Sequence, residues 1–434
     1  MNISIIGLGY VGLPAAIAFH DAGFNVTGID ISETTISSLK LGILPINDPS
    51  FTTPIPITSD RWAVTNNYNE IIKSKIIIIT VPTPVNSQGL PDLSFIKSAV
   101  SSIFENISND DAPIIVLEST VFPGVSREIF TSISLEYDLE SGMDFHFAYS
   151  PERINPGVFE NRIENTVRII GSDDIEVGNK LVEIYDKITT KGAQYVGVPE
   201  VAEASKLIEN VQRDVDIALT NEFAILFPKI GLDVEDVFSA AQTKWNFHRH
   251  TPGIGVGGHC IPVDPYYYLH LFNKNFPQKT SIVKNTRNFN EKLPKYYADK
   301  IISKINTLNN RVLILGYAYK SNIGDYRTTP VHPLVNELIA KDVMVKIYDP
   351  HINSNSEDLV KLYGKNIFCN AFPKSESFDM IVLATDHDIF DSAKFFKEIA
   401  NICPNKLFFD GRRVKYQNQL LENGWSVYGV GLPE

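Results

Sequence analysis

Residues 2–30 read NISIIGLGYVGLPAAIAFHDAGFNVTGID. A short apolar run from Ile3 to Ile6 stops at Gly7, an apolar-rich stretch follows from Val11 to Ala22, and a second run, Val26 to Ile29, ends at Asp30. Strand, tight turn, helix and strand within about 30 residues is the pattern of a dinucleotide-binding βαβ unit. Each glycine of GLGYVG has its own task. Gly7 permits the turn, Gly9 lets the backbone approach a pyrophosphate, and Gly12 lets the helix close on the sheet. The N–H groups at the helix start, around Tyr10 and Val11, then face the anion. Asp30 follows Gly12 by 18 residues, where a carboxylate accepts hydrogen bonds from a ribose diol and repels a phosphate, so NAD is expected over NADP. The plainer alternative is a turn-rich core of the same fold with no ligand.

The same grammar continues outward. Ile76–Val81, Ile114–Leu117 and Val167–Ile170 are largely apolar runs, the last carrying Arg168, as expected of parallel strands covered on both faces. Turn-rich segments, Asn86–Asp92 and Ser108–Asp111, lie between them. Residues 202–230 read as one long helix with Lys206 and Asn210 four apart on one face, and Val234–Ala241 as another. A second α/β unit begins at Arg311, with strands at Val312–Leu315, Val343–Tyr348, Met380–Ala384 and Lys406–Phe409 and a helix at Val335–Ile339. The fold class is therefore α/β: two Rossmann-like parallel-sheet domains, residues 1–199 and 306–434, joined by a long central helix and a helical middle domain, residues 200–305.

A chain of 434 residues, 44% hydrophobic and 21% charged, has material for several cores and is not a disordered chain. Its net charge of -12 argues against a general nucleic-acid binder. The start, MNISIIGLGYVG, already reads as a strand and not as a signal peptide, and no run reaches the roughly 18 apolar residues of a membrane span. A cytoplasmic protein without membrane partners is expected. Cys260, Cys369 and Cys403 are far apart, which suggests neither a disulfide framework nor a zinc knuckle.

Candidate chemistry gathers at three places. Thr83 in VPTPV and Thr120 in ESTVFPG follow apolar strands, where open α/β sheets bind ligands, though either hydroxyl equally suits a helix cap. Cys260 stands in GIGVGGHCIPVDPYYY, whose glycines at 253, 255, 257 and 258 suit a loop wrapped closely on a ligand. His259, Cys260 and Asp264 offer a base, a nucleophile and a carboxylate within a few residues; a metal-free packed loop and a zinc site using His248, His250, His259 and Cys260 are the alternatives.

In order along the chain, GLGYVG at 7–12, VPTP at 81–84, ESTVFPG at 118–124, SPERINPG at 150–157, KLIEN at 206–210, GGHCIPVDP at 257–265 and GYAYKSNIGDYRTTP at 316–330 together resemble the UDP-glucose/GDP-mannose dehydrogenase family. The resemblance implies NAD in the first domain, a homodimer built on the central helix, and a UDP-sugar on the third domain. It implies that Cys260 is the nucleophile of a four-electron oxidation of the sugar C6 through a thiohemiacetal and a thioester. Lys206 and Asn210 then match groups that hold charge on oxygen, Thr120 and Asp264 match groups that hold or activate water, and Glu152 matches a proton-transfer or substrate-positioning group. Gly257, Lys320 and Arg327 fall at positions facing the nucleotide sugar; an ion-pair network with Asp325 is the plainer reading of Lys320 and Arg327. The resemblance requires no metal.

Val263 stands where simple UDP-glucose dehydrogenases carry lysine, and SPERINPG resembles the branch acting on N-acetylated sugars. The expected substrate is a UDP-N-acetylhexosamine, the gluco or manno epimer, with UDP-glucose as runner-up. A nucleotide-sugar sensor without turnover is the non-enzyme alternative.

Overall fold

A computed structural model describes residues 1–46, 51, 53–86, 88–107, 112–153, 163–305, 309–414 and 416–433. The Ser108–Asp111 turn, Ser87 within the Asn86–Asp92 turn, residues 154–157 of SPERINPG and residue 306 at the last domain boundary lie outside them.

Among the described residues, β1 (Asn2–Ile6), β2 (Asn25–Ile29), β3 (Trp62–Thr65), β4 (Ile76–Ile79), β5 (Ile114–Leu117) and β6 (His146–Tyr149) form an all-parallel sheet in the order β3-β2-β1-β4-β5-β6. The GLGYVG segment leads from β1 into the helix Gly12–Asp21. β4 is four isoleucines, all fully buried, because helices cover both faces and no position turns to water. Ile3, Ile5, Ile76 and Ile78 pack with Leu13, Phe19 and Tyr185 in this core.

Val167–Ile170 does not join that sheet. The strand there, β7 (Arg168–Ile170), pairs in parallel with β8 (Ala193–Tyr195), and Gly171 bridges only to Tyr149 at the end of β6. The strand opens with Arg168, whose guanidinium is buried against carboxylates described below.

The chain resolves into two compact units: residues 1–210 with 266–278, and residues 211–265 with 279–434. The helix Pro199–Lys229 begins in the first and continues into the second, starting three residues earlier than the sequence suggested because proline suits the first turn of a helix.

In the second unit β9 (Arg311–Leu315), β10 (Met344–Tyr348), β11 (Met380–Leu383), β12 (Leu407–Asp410) and β13 (Ser426–Gly429) form a parallel sheet in the order β10-β9-β11-β12-β13. Val312, Ile314 and Val382 face Tyr297, Ile301 and Leu334, while Leu313, Ile381 and Leu383 face Phe390, Phe395 and Trp425. The strand order reverses beside β1 in the first sheet and beside β9 in the second, and ligands of open α/β sheets bind at the carboxyl ends of such strands.

Candidate active site

The turn after β1 is closed by bonds to the ends of β2 and β4. Gly7 adopts φ 92°, its N–H donates to Ile29 O at 2.8 Å, and Thr80 Oγ1, at the end of β4, donates to Gly7 O at 2.7 Å. A Cβ on Gly12 would lie 1.8 Å from Gly7 O, whereas one on Gly9 would meet nothing within 4 Å. Gly12 is therefore required by the protein's own packing, and Gly9 faces open space. The helix Gly12–Asp21 has no side-chain cap and no acidic residue in its first turn. Asp30 Oδ2 accepts from Leu8 N–H at 2.8 Å and Oδ1 from Ser32 N–H at 2.8 Å, which fixes the carboxylate beside the loop. An uncapped helix start, an unfilled Gly9 and a fixed carboxylate suit a dinucleotide's pyrophosphate and ribose. Tyr10 and Val11 are half-buried at that helix start.

Thr83 and Thr120 follow β4 and β5 and are half-buried. Neither caps a helix: the next helices start at Ser94 and Val125, behind Leu93 and Gly124. Thr83 O accepts from Tyr267 Oη at 3.1 Å. The Val125 helix is capped instead from another helix, by Glu203, which accepts from Gly124 N–H at 2.6 Å and Ser126 N–H at 3.1 Å. Burial pushes the Glu203 carboxyl up.

Behind this edge lies a charged cluster that the sequence did not reveal. Arg168, fully buried, meets Glu152 Oε2 at 2.6 Å and Glu118 Oε2 at 3.3 Å, and donates to Pro151 O at 3.1 Å. Tyr185 Oη donates to Glu118 Oε1 at 2.5 Å. Burial works against the Arg168 charge but is outweighed by the two carboxylates, which hold its pKa above the ordinary value. Burial also pushes the Glu118 carboxyl up. Lys206, itself buried, donates from Nζ to the backbone oxygen of Glu152 at 2.5 Å. The Glu152 side chain is thus clamped by Arg168, while its carbonyl holds Lys206. Asn210 lies half-buried one turn beyond Lys206.

In the second unit the cysteine loop runs against the carboxyl edge of the sheet. Gly253 N–H donates to Asn221 Oδ1 at 2.9 Å. A Cβ on Gly257 would come within 2.7 Å of Tyr319 Cβ and 2.8 Å of Pro330 Cδ, so the loop lies directly on the 316–330 segment. Gly258 adopts φ 91°, and its carbonyl accepts from Thr328 Oγ1. Cys260 O then accepts from Val263 N–H at 3.0 Å and Asp264 N–H at 2.8 Å, a turn that opens the helix Asp264–Asn275 with Asp264 buried. Cys260 is half-buried. By contrast, burial pushes the Cys369 thiol up and the Cys403 thiol up to about 11, which disfavours the thiolate that attacks carbonyls.

Lys320 is half-buried in the same segment, and Arg327, half-exposed, forms a bidentate pair with Asp325, Nη2 to Oδ2 at 2.6 Å. Gly316, φ 82°, repeats the role of Gly7. Asp349 follows β10 as Asp30 follows β2, and its Oδ2 accepts from Tyr317 N–H at 2.7 Å and Ala318 N–H at 2.9 Å. Burial tends to raise its pKa but is outweighed by His387 and these two N–H groups, which hold the carboxyl below its ordinary range. Among the described residues no three His, Cys, Asp or Glu converge to hold a metal, and no helix is long and apolar enough to cross a membrane.

Residues 1–189, 200–292 and 313–417 match, in turn, the NAD binding, central and UDP binding domains of the UDP-glucose/GDP-mannose dehydrogenase family. The chain belongs to this family. As a member it is an NAD-dependent nucleotide-sugar dehydrogenase. It is 35% identical over 399 residues to the UDP-N-acetyl-D-glucosamine 6-dehydrogenase of Pseudomonas aeruginosa, covering 90% of this chain and 91% of that protein. It is 33% identical over 423 residues to the UDP-N-acetyl-D-mannosamine dehydrogenase of Pyrococcus horikoshii, covering 95% and 96%. The solved structure of a UDP-D-ManNAc dehydrogenase from Pyrococcus horikoshii superposes on this dehydrogenase with a TM-score of 0.85 at 30% identity, covering 99% of each chain.

Proposed function

We propose that the enzyme oxidises the C6 hydroxymethyl of a UDP-N-acetylhexosamine to the carboxylate in two successive oxidations, through a covalent bond to Cys260. The observation that carries this reading is the cysteine loop: one half-buried thiol on a glycine-shaped turn laid on the carboxyl edge of the second sheet. Relatives named for both N-acetylhexosamine epimers, 33% to 35% identical over nearly the whole chain, support the substrate class.

NAD, held by Gly7, Gly9, Tyr10, Val11, Gly12 and Asp30 with Thr83 and Thr120 beside it, supplies the hydride acceptor for each oxidation. The chain's residues do the rest. Cys260 Sγ adds to the C6 aldehyde left by the first oxidation and forms a thiohemiacetal. Loss of hydride from C6 gives a thioester, and water attacks it, releasing the acid and returning the thiolate. Lys206 and Asn210 hold the negative charge that develops on the C6 oxygen, which lowers the barrier because they are positioned in advance. Thr120 and Asp264 hold the water. Glu152 positions Lys206 through its carbonyl. Gly257 admits the substrate to the loop, and Lys320 and Arg327 hold the diphosphate, Arg327 at the expense of its pairing with Asp325. The central helix joins two copies in a homodimer.

The test is NADH release with product mass across UDP-N-acetylglucosamine, UDP-N-acetylmannosamine, UDP-glucose and GDP-mannose. Two NADH and one acid from an N-acetylated substrate are expected. Two NADH from UDP-glucose alone would overturn the substrate class, and no turnover alongside demonstrated NAD binding would overturn the catalytic reading.

A further inference from the structure

The four residues Thr385, Asp386, His387 and Asp388, which follow β11, each bond to the segment that carries Lys320. Thr385 Oγ1 donates to Ala318 O at 2.5 Å, and Asp386 Oδ1 accepts from Ser321 Oγ at 2.7 Å. His387 Nδ1 accepts from Asn322 N–H at 2.8 Å, and Asp388 N–H donates to Asn322 Oδ1 at 3.0 Å. Lys320 therefore sits in a short span pinned at Ala318 on one side and at Ser321 and Asn322 on the other. Asn322 is left-handed, φ 61°, a conformation that asparagine tolerates better than most residues other than glycine.

His387 joins both ends of the span. Its ring is fully buried, and Nε2 lies 3.0 Å from Asp349 Oδ2, the oxygen that also accepts from Tyr317 and Ala318 N–H. Because Nδ1 faces a backbone N–H, it offers its lone pair there, and Nε2 donates to Asp349 Oδ2.

We infer that His387 is a positioning residue for nucleotide-sugar binding: through its bond to Asn322 N–H it sets the backbone of residues 320–322 so that Lys320 meets the diphosphate. The inference rests on the assignment of Lys320 to the diphosphate proposed above. His387 makes no contact with the substrate in this scheme; it acts through the span.

Two amide substitutions separate its two bonds. The amide oxygen of Asn reaches the place of Nδ1, so His387→Asn keeps the acceptor for Asn322. The amide nitrogen of Gln reaches the place of Nε2, so His387→Gln keeps only the donor to Asp349. Binding of UDP and of NAD to the full chain is measured by calorimetry, with thermal unfolding alongside. His387→Gln is expected to raise the Kd for UDP roughly tenfold, the loss of one buried hydrogen bond, and His387→Asn to change it less than about twofold. Both should lower the unfolding midpoint alike and leave NAD binding unchanged. His387→Phe, which keeps the ring volume and loses both bonds, is a second variant and should weaken UDP at least as much as Gln does. Lys320→Ala is the control. If Lys320→Ala weakens UDP while the Gln and Phe variants bind it normally, or if Asn and Gln weaken it equally, the positioning role is overturned and the Lys320 assignment stands. If Lys320→Ala binds UDP as the wild type does, the assignment of Lys320 falls and this inference falls with it.

Discussion

Gly9 and Gly12 respond in opposite ways to a single methyl group. In Gly12→Ala the new Cβ lies 1.8 Å from Gly7 O and 2.3 Å from Thr80 Oγ1, against an ordinary contact beginning near 3.4 Å. Both neighbours are fixed: Gly7 O is backbone, and Thr80 Oγ1 is bonded to Gly7 O and Ile6 O. The helix start must move by over an ångström, at a cost of about 3 kcal/mol, the upper end of overpacking. For a unit of this size that lowers the unfolding midpoint by roughly 6–12 °C. In Gly9→Ala the Cβ meets nothing, and the backbone there is not left-handed, so the midpoint should hold or rise slightly. The pyrophosphate, however, needs the space the methyl would fill. Loss of one charge-assisted hydrogen bond, about 1.5–3 kcal/mol, raises the Kd for NAD roughly 10- to 150-fold. Calorimetric NAD titrations and thermal unfolding of both variants distinguish the two cases. Wild-type NAD affinity in Gly9→Ala would refute the approach of the pyrophosphate to this backbone, and a wild-type midpoint in Gly12→Ala would show that the turn relaxes around the methyl.

Further outcomes are expected elsewhere in the molecule. Cys260→Ala should release no acid, measured by product mass, and normal acid production would remove Cys260 from the second oxidation. Lys206→Ala should lower kcat by roughly a hundredfold or more with KM little changed, as the loss of a preorganised oxyanion partner does; unchanged turnover in a stopped-flow NADH assay would reject its role. Arg168→Met leaves Glu118 and Glu152 buried without their cation and should cost about 3–5 kcal/mol in denaturant unfolding; a loss under 1 kcal/mol would show that the cluster relaxes. Asp349 is held below its ordinary range, so its contribution to stability is complete above about pH 4 and is lost as pH falls through its lower folded pKa. Asp349→Asn should therefore narrow its stability deficit in acid, and a deficit constant from pH 7 to pH 2 would contradict the linkage.

The strands that sequence makes plain are those buried on both faces. β4 and β5 are unbroken isoleucine, valine and leucine because helices lie on either side of them. Strands whose pattern is broken by exposed positions escape the same reading: in β3 Ala63 is exposed and Trp62 half-buried, and in β13 Ser426 is exposed. The helices Asp264–Asn275 and Ile282–Ile305 mix tyrosine, lysine and asparagine with few aliphatic residues, so their apolar stripe is weak. In the site, the glycine and cysteine motifs are legible because their own defining residues lie within a few positions of one another along the chain. The Arg168 cluster is not, since Glu118, Glu152, Arg168 and Tyr185 come from four separate segments. A lone arginine inside an apolar run was the one trace it left in the sequence.

The Glu203 cap has a mechanical consequence. Glu203, on the helix Pro199–Lys229, holds the start of the Val125 helix, and three residues further on its own helix carries Lys206. Arg127, bonded to Glu200 at 2.7 Å and to Asp173 at 2.8 Å, rivets the two pieces a second time. The segment that follows Thr120 and the helix that carries Lys206 are thus tied at two points. A displacement of the Lys206 turn is therefore expected to carry the start of the Val125 helix with it, and loss of the Glu203 carboxylate to uncouple the two.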